Sequence, residues 1–233
     1  MLEYGLGRQI HFDERSRAFP IRTIVGERIP RGYTWRCGVV LDQGSEGSCV
    51  GHAWAHELIA RPVVTLVDHT YARERIYWEA QKIDPWDGGA YPGAAPFYEG
   101  TAVLAGAKVC QALGHFAEYR WAFGLRDLIL AVGYTGPVVL GINWYEGMFN
   151  PDVDGFIRPT GLIAGGHALL VHGVSVSGSY VKIHNSWGPS WGQNGGAKIT
   201  FTDLERLLNE DGEACIPLRR HARVLGGPRL RQI

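Results

Sequence analysis

Residues 183–199 read IHNSWGPSWGQNGGAKI, and this stretch says more about the fold than any other part of the chain. It begins with the pattern of a β-strand that ends near Asn185 and Trp187, and several glycines then alternate with polar and aromatic residues. One interpretation is a glycine-rich β-turn held by aromatic packing. The other is a catalytic site in which the asparagine orients an imidazole and the indole shields their hydrogen bond from water.

A candidate nucleophile stands far upstream, in residues 42–55, DQGSEGSCVGHAWA. Cys49 opens a predicted helix, where backbone N–H groups carry partial positive charge and favour the nucleophilic thiolate over the thiol. Gln43 is placed to donate its amide N–H to a developing oxyanion, beside the N–H of the cysteine itself. A cysteine at a helix start is, taken alone, more often structural than catalytic.

A candidate base lies between these two stretches, in residues 164–174, AGGHALLVHGV. Two glycines precede His167 and leave this strand start open to another part of the molecule. A single histidine of this kind is more often a hydrogen-bonded core residue. The order cysteine, histidine, asparagine is nevertheless that of a Cys-His-Asn catalytic arrangement.

At these three stretches the chain resembles the papain family of cysteine peptidases. Residues 42–53 are similar to the family's N-Q-G-x-C-G-S-C-W-A block, and residues 165–174 to its H-A-V-x-x-V-G-Y block. Residues 183–199 are a close match to its K-N-S-W-G-x-x-W-G-x-x-G-Y block. The resemblance extends from about Trp35 to Phe201.

The resemblance implies a role for each matching residue. Cys49 is the expected nucleophile, and His167 its general base and then the acid that protonates the leaving amine. Asn185 is expected to orient His167, Gln43 to line the oxyanion hole, and Trp187 to cover the histidine. An ion pair with His167 would keep Cys49 reactive at neutral pH.

The same resemblance implies where a peptide substrate binds. YEGT, residues 98–101, stands where the family pairs with the substrate backbone, which makes Gly100 and Glu99 candidate binding residues. Gly166, in place of the acid or amide that often precedes the family's histidine, and Trp187 are further candidate binding residues. Glycine at positions 141, 165 and 166 leaves the subsite preference open.

Helices are predicted mainly in the first half of the chain and strands mainly in the second. The expected helices lie at 49–60, 68–83, 102–113, 125–132 and 202–210, and the expected strands at 35–41, 136–144, 167–176, 180–187, 196–201 and 214–219. This order predicts an α+β protein. The resemblance implies a papain-like fold of two lobes, one helical and one β-barrel-like, with the active-site cleft between them. The expected divisions are an N-terminal extension at 1–34, a helical lobe at 35–135 and a β-rich lobe at 136–233, the two lobes forming one catalytic domain.

Composition limits the partners and the compartment. The 233 residues carry 23 basic and 23 acidic side chains, so charge gives no indication of nucleic acid or a membrane surface. The most apolar long stretch, residues 161–178, contains histidines and glycines, which argues against a membrane span. The N-terminus lacks the pattern of a secretion signal. We expect a cytoplasmic protein, or one in a host cell or virion if a phage encodes it; the oligomeric state is left open.

The departures from the family pattern fit a reducing compartment. Glu46 stands where the family has a disulfide-forming cysteine, and Val50 replaces the aromatic residue after the nucleophile. The four cysteines are widely spaced with no CxxC pair, so neither disulfides nor zinc are expected. His52 and His56 share a helix face, but no carboxylate completes a metal-binding pattern. No metal or cofactor is expected. An arginine- and glycine-rich composition favours a bacterial or phage source with a GC-rich genome.

Three functions remain open at this point. The favoured one is an endopeptidase that cuts peptide bonds through an acyl-enzyme. A transpeptidase or amidase acting on cell-wall or protein amides would use the same residues, because water and an amine attack the same thioester. A catalytically silent peptide-binding or assembly protein would keep only the fold.

Residues 1–34 are polar and interrupted by Pro20 and Pro30, with apolar side chains at irregular intervals. Such a segment either braces the β-rich lobe or lies in the cleft and restrains the enzyme. The spacing of its apolar anchors and the lack of an evident processing sequence favour the brace.

Overall fold

The computed structural model describes residues 4–221. Its α-helices are α1 (Arg22–Val25), α2 (Cys49–Ile59), α3 (Trp78–Gln81), α4 (Val103–Ala112), α5 (Leu125–Tyr134) and α6 (Phe201–Asn209). Its strands are β1 (Tyr33–Thr34), β2 (Phe116–Trp121), β3 (Val138–Tyr145), β4 (Ile163–Ser175), β5 (Tyr180–His184), β6 (Gly196–Thr200) and β7 (Glu213–Arg220). A π-helix (Tyr71–Tyr77) leads into α3, and Glu14–Ala18 and Glu146–Met148 form 3₁₀ turns.

All seven strands belong to one antiparallel sheet. Its order is β2-β7-β3-β4-β5-β6, and β1 pairs with β4. The described part of the sheet is open, with β2 and β6 at its edges, so the expected barrel-like closure is wrong. The helices that pack on both faces explain why the sheet stays open. Leu140 of β3 packs in one core cluster with α5 and α6, and its neighbour Val139 packs in another with α2 and α4. A sheet covered on both faces does not need to close on itself.

The mixed α+β architecture agrees with the expectation, and the strands of the second half are found. The strand expected at 35–41 is wrong, because the pairing there is limited to β1 and the N–H of Trp35, which donates to the carbonyl oxygen of His172. β2 is an additional strand. Because β2 pairs with β7 and α5 packs on the sheet, residue 136 does not separate the helices from the sheet. The hydroxyl of Thr101, just before α4, donates to Asp84.

Residues 14–34 form a brace against the sheet. Ile21 and Val25 are buried in the core cluster beneath α5. The N–H of Ile21 donates to the carbonyl oxygen of Trp121 at the end of β2, and Arg22 forms an ion pair with Asp127 of α5. These contacts tie the segment to the body of the protein at several points.

We expect Ile21→Ala to lower the free energy of unfolding by about 2–5 kcal/mol, because the side chain is fully buried and its removal leaves a cavity. Ile24→Ala is the matched control, since Ile24 is 45% exposed in the same segment, and its cost should stay below about 1 kcal/mol. Urea unfolding followed by circular dichroism measures both. Equal midpoints for the two variants would show that the segment is not a brace.

Candidate active site

Cys49 is the first residue of α2 and is completely buried. The turn before it is held by Glu99, whose carboxylate accepts a hydrogen bond from the N–H of Gly47 (2.8 Å). The first turn of α2 therefore directs its N–H groups, with their partial positive charge, at the region of the sulfur. Glu99, a candidate substrate contact, thus also holds the turn that precedes Cys49.

The thiol of Cys49 is not activated in this structure. Burial raises its pKa to about 11, and hydrogen bonding from the backbone of Ala168, Gly7 and Val50 opposes that shift. The sequence predicts the opposite, a thiolate paired with a histidine. The difference arises because the sulfur lies out of contact with water, where the charged form is disfavoured.

His167 and Asn185 form a hydrogen-bonded pair beside Cys49. His167 lies on β4 next to Ala168, and its Nε2 is 2.7 Å from Oδ1 of Asn185. The N–H of Ser186 donates to the same oxygen (2.8 Å), which identifies that atom as the amide oxygen. The Nε2 atom must then carry the proton, and Nδ1 is left as the basic nitrogen of the neutral ring.

The basic nitrogen of His167 is not engaged. Among the described residues, Nδ1 is buried without a hydrogen-bond partner, so the expected ion pair with Cys49 is not formed here. Burial lowers the pKa of His167 to about 4, and the hydrogen bond that its Nε2–H donates to Asn185 works in the opposite direction. Cys49 and His167 are therefore held as a neutral thiol and a neutral imidazole.

Two indoles enclose the imidazole. The ring centroid of Trp187 lies 4.7 Å from that of His167, and the centroid of Trp144 lies 4.9 Å away from it. Trp144 comes from β3 and was missed in the sequence, where it reads as an ordinary core residue of a strand. The two rings exclude water from the His167–Asn185 hydrogen bond, which strengthens it.

Gln43 is oriented by the residue that follows Asn185. Its Oε1 accepts a hydrogen bond from the hydroxyl of Ser186 (2.6 Å), so its Nε2 faces the turn before Cys49. There Nε2 donates to the carbonyl oxygens of Glu46 (2.8 Å) and Gly5 (3.2 Å). A carbonyl oxygen already lies within reach of the amide that the sequence assigns to the oxyanion hole.

We expect Gln43→Ala to lower kcat by a factor on the order of 10²–10³, the loss associated with removal of one oxyanion donor. Gln193→Ala removes an exposed amide elsewhere and should leave kcat unchanged. Initial rates on a fluorogenic peptide measure both. An unchanged kcat in Gln43→Ala would move the oxyanion hole to other donors.

The cleft contains the protein's own N-terminal segment. Residues 4–9, here called the cleft segment, run from the ring of Trp187 past Cys49 to Thr101. Tyr4 stacks on Trp187 with ring centroids 4.4 Å apart, and the indole N–H of Trp187 donates to the carbonyl oxygen of Gly5 (3.3 Å). The segment therefore covers Cys49 and keeps its sulfur out of contact with water.

Backbone hydrogen bonds hold the cleft segment on both sides. The carbonyl oxygen of Gly166 accepts from the N–H groups of Gly7 (3.0 Å) and Arg8 (2.9 Å). Thr101 donates to the carbonyl oxygen of Gly7 and accepts from the N–H of Gln9, both at 2.9 Å. Arg8 and Thr101 form a parallel bridge. The cleft thus binds an extended peptide through its main chain.

Close approach explains the glycines in YGLGR, residues 4–8. A Cβ on Gly5 would collide with the carbonyl oxygen of Glu46, and one on Gly7 with that of Gly47. This glycine pair is the sequence signal of a cleft-bound segment. The expectation that residues 1–34 act only as a brace is wrong, because residues 14–34 brace the sheet while residues 4–9 fill the cleft.

The structure brings the expected site residues together around the cleft segment. Gly100 and Glu99 lie on its helical side, and Gly166 and Trp187 lie on its sheet side. His52 and His56 do not converge, since His52 contacts His69 and His56 accepts from the N–H of Leu41. Within residues 4–221 no group of three or more histidine, cysteine or acidic side chains is arranged to hold a metal ion.

Comparison with known proteins gives one family match. Residues 96–208 match the family model described as papain family cysteine protease. The chain is 28% identical over 120 residues to cathepsin B-like cysteine proteinase 5 and 29% identical over 84 residues to cathepsin B-like cysteine proteinase 6, both of Caenorhabditis elegans. These stretches are 50% and 34% of this chain, and 32% and 22% of the two proteinases. The chain therefore spans about a third or less of the length of these curated relatives.

Solved structures show the same fold. Xylellain, a cysteine protease from Xylella fastidiosa, has a TM-score of 0.70 at 19% identity, over 94% of this chain and 97% of that one. Digestive procathepsin L 3 of the Tenebrio molitor larval midgut has a TM-score of 0.63 at 17% identity, over 93% and 76%. The fold is papain-like.

The fold and the family match define a class of protein whose members are cysteine proteases. Residues 96–208 of this chain are similar to the papain family of cysteine proteases, and the chain has a papain-like fold. The matched residues 96–208 include His167 and Asn185 but not Cys49. The role of Cys49 therefore stays a prediction, supported by its position at the start of α2 and its contacts in the cleft.

Proposed function

We propose that this chain is a cysteine endopeptidase that hydrolyses peptide bonds of protein or peptide substrates through a thioester acyl-enzyme. The observation that carries the proposal is an extended peptide, residues 4–9, bound by main-chain hydrogen bonds across Cys49. The chain continues beyond Gln9, so that end of the cleft is open to a longer polypeptide. An open end of this kind supports cleavage within a chain.

The chemistry follows from the tautomer of His167. Its Nδ1 takes the proton of Cys49 as the sulfur attacks the substrate carbonyl carbon. Gln43 and the N–H of Cys49 stabilise the oxyanion, and His167 returns the proton to the departing amine. Water then attacks the thioester, with His167 as base again, and releases the acid product. Asn185 and Trp187 keep the imidazole oriented throughout.

The cleft segment is not bound as a substrate. The backbone N–H of Gly7 donates to the carbonyl oxygen of Gly166 and also lies within hydrogen-bonding reach of the sulfur. The carbonyl oxygen that meets Gln43 belongs to Gly5, two residues away. A bond about to be cut must present one carbonyl to both the sulfur and the oxyanion donor. The segment therefore acts as a built-in inhibitor, and turnover requires it to leave.

The test is cleavage of quenched fluorescent peptides by the full chain and by its Cys49→Ala variant. We expect products with a free carboxyl terminus and a transient thioester on Cys49, seen by mass spectrometry after acid quenching. Products capped by an added amine in place of water would identify a transferase. Peptide binding without any turnover, in a protein whose Cys49 does react with alkylating agents, would identify a silent binding protein.

The proposal extends to the setting of the protein. All four cysteines are free thiols, which supports a reducing compartment such as the cytoplasm of a bacterium, or of a host cell if a phage encodes the protein. No helix in residues 4–221 has the length and apolar character needed to span a bilayer.

A further inference from the structure

His52 stands three residues beyond Cys49 on α2 and has no part in the proposed mechanism. Its side chain is fully buried and its ring points back along the helix to Ser48. The carbonyl oxygen of Ser48 accepts the usual helical bond from the backbone N–H of His52 at 3.2 Å. Nδ1 of the same residue lies 3.0 Å from that oxygen. One carbonyl oxygen thus receives two hydrogen bonds from His52.

The protonation of the His52 imidazole follows from these contacts. A carbonyl oxygen only accepts hydrogen bonds, so Nδ1 must carry the proton. Burial lowers the pKa of His52 to about 4, so the ring is neutral at pH 7 and its Nε2 is an acceptor. Nδ1 of the exposed His69 lies 2.9 Å from this Nε2 and donates to it. The exposed histidine therefore fixes the orientation of the buried one.

The carbonyl group of Ser48 and the N–H group of Cys49 belong to the same peptide unit. The peptide unit is planar and its electrons are delocalised, so a hydrogen bond to its oxygen polarises its N–H and makes that group a stronger donor. The bond from Nδ1 of His52 also fixes the plane of this unit. In the proposed mechanism, the N–H of Cys49 is one of the two donors to the oxyanion.

We propose that His52 is a positioning residue for the reaction. Its imidazole polarises and orients the Ser48–Cys49 peptide unit, so that the N–H of Cys49 binds the developing oxyanion more strongly. The inference rests on the proposed function and adds a residue to its machinery. His52 acts through this peptide unit and transfers no proton.

The polarised peptide unit is tested by nuclear magnetic resonance. Ser48–Cys49 is the only Ser-Cys pair in the sequence, so ¹³C-carbonyl serine and ¹⁵N-cysteine together give a single HNCO peak. His52→Phe keeps a ring and removes the donor, and we expect the carbonyl ¹³C resonance to move upfield. His52→Asn, whose amide N–H replaces that of Nδ1, should leave the resonance close to its original position. An unmoved resonance in His52→Phe overturns the inference.

The kinetic test uses the same two variants on a fluorogenic peptide. We expect His52→Phe to lower kcat roughly 2- to 8-fold at unchanged KM, because cooperativity adds about 10–30% to the effect of one oxyanion donor. His52→Asn should recover most of this loss. Alkylation of Cys49 by iodoacetamide forms no oxyanion and should proceed at the same rate in all three proteins. An unchanged kcat in His52→Phe, or an equal loss of kcat and alkylation rate, overturns the inference.

A measurement without substitution at position 52 decides the case in which neither variant folds. His69→Ala, a change at the surface, should move the ¹⁵N resonance of Nε2 of His52 and so identify that ring. We expect the proton of the ring on Nδ1, and a proton on Nε2 overturns the inference. If the unaltered chain cleaves no peptide, the proposed function fails, whereas an upfield shift in His52→Phe still supports the polarised peptide unit.

Discussion

Replacing Cys49 with alanine is expected to abolish peptide hydrolysis, with a loss in kcat on the order of 10⁴–10⁶. His167→Ala should cost about as much, because the sulfur then has no base to take its proton. Asn185→Ala should leave a measurable remainder, since the asparagine sets the tautomer of the imidazole and transfers no proton. Single-turnover assays with a peptide substrate resolve residual rates in all three variants.

The matched control for the nucleophile is Cys37→Ala, which removes a thiol outside the cleft and should leave kcat within about twofold. Burial raises the pKa of Cys37 to about 12. A fully active Cys49→Ala protein, or a loss in Cys37→Ala as large as that in Cys49→Ala, would refute the assigned nucleophile.

Gly7→Val is expected to expose Cys49 and to speed its alkylation at pH 7 on the order of 10²-fold. The valine side chain cannot fit against the carbonyl oxygen of Gly47, so the cleft segment can no longer pack against the turn before Cys49. Burial raises the pKa of Cys49 to about 11, whereas an exposed cysteine has a pKa of about 8.5. Each unit of that difference changes the thiolate fraction about tenfold at neutral pH. Contact with His167 would add to this gain once the thiol is free to pair.

The pH dependence separates exposure from other causes. In the unaltered chain the alkylation rate should rise about tenfold per pH unit from 7 to 10, because the thiolate forms only near its raised pKa. In Gly7→Val the rise should end at a lower pH, since the folded-state pKa has fallen. Ile10→Ala, at a half-exposed position just beyond the segment, should follow the unaltered chain. Identical profiles for all three proteins would mean that the segment does not control the nucleophile.

Much of the fold was predictable because its signals are local. The spacing of apolar residues predicts helix α2 from residues 49–60 and strand β4 from residues 167–176. β2 was missed because it is an edge strand in which only the first and last residues are buried, so its apolar pattern is weak. The open sheet was missed because closure depends on which helices cover each face, a property of packing that no short stretch encodes.

The candidate site shows the same division between features with a local sequence signal and features that depend on long-range packing. Cys49, His167, Asn185 and Gln43 stand in compact motifs, so the sequence singled them out. The raised pKa of the Cys49 thiol could not be predicted from the sequence, because it depends on residues 4–9 folding back over α2. The contacts of Gly141 and Glu213 with Arg8 also required structure, since these two positions are 72 residues apart in the sequence.

The short connection between the cleft segment and the brace has a thermodynamic consequence. Residues 10–13 join Gln9 to the 3₁₀ turn Glu14–Ala18, which is part of the folded body. A ligand on so short a tether meets its own site at an effective concentration in roughly the millimolar range. A free substrate must outcompete that tethered ligand, so its apparent Michaelis constant reports the competition as well as the intrinsic affinity of the cleft.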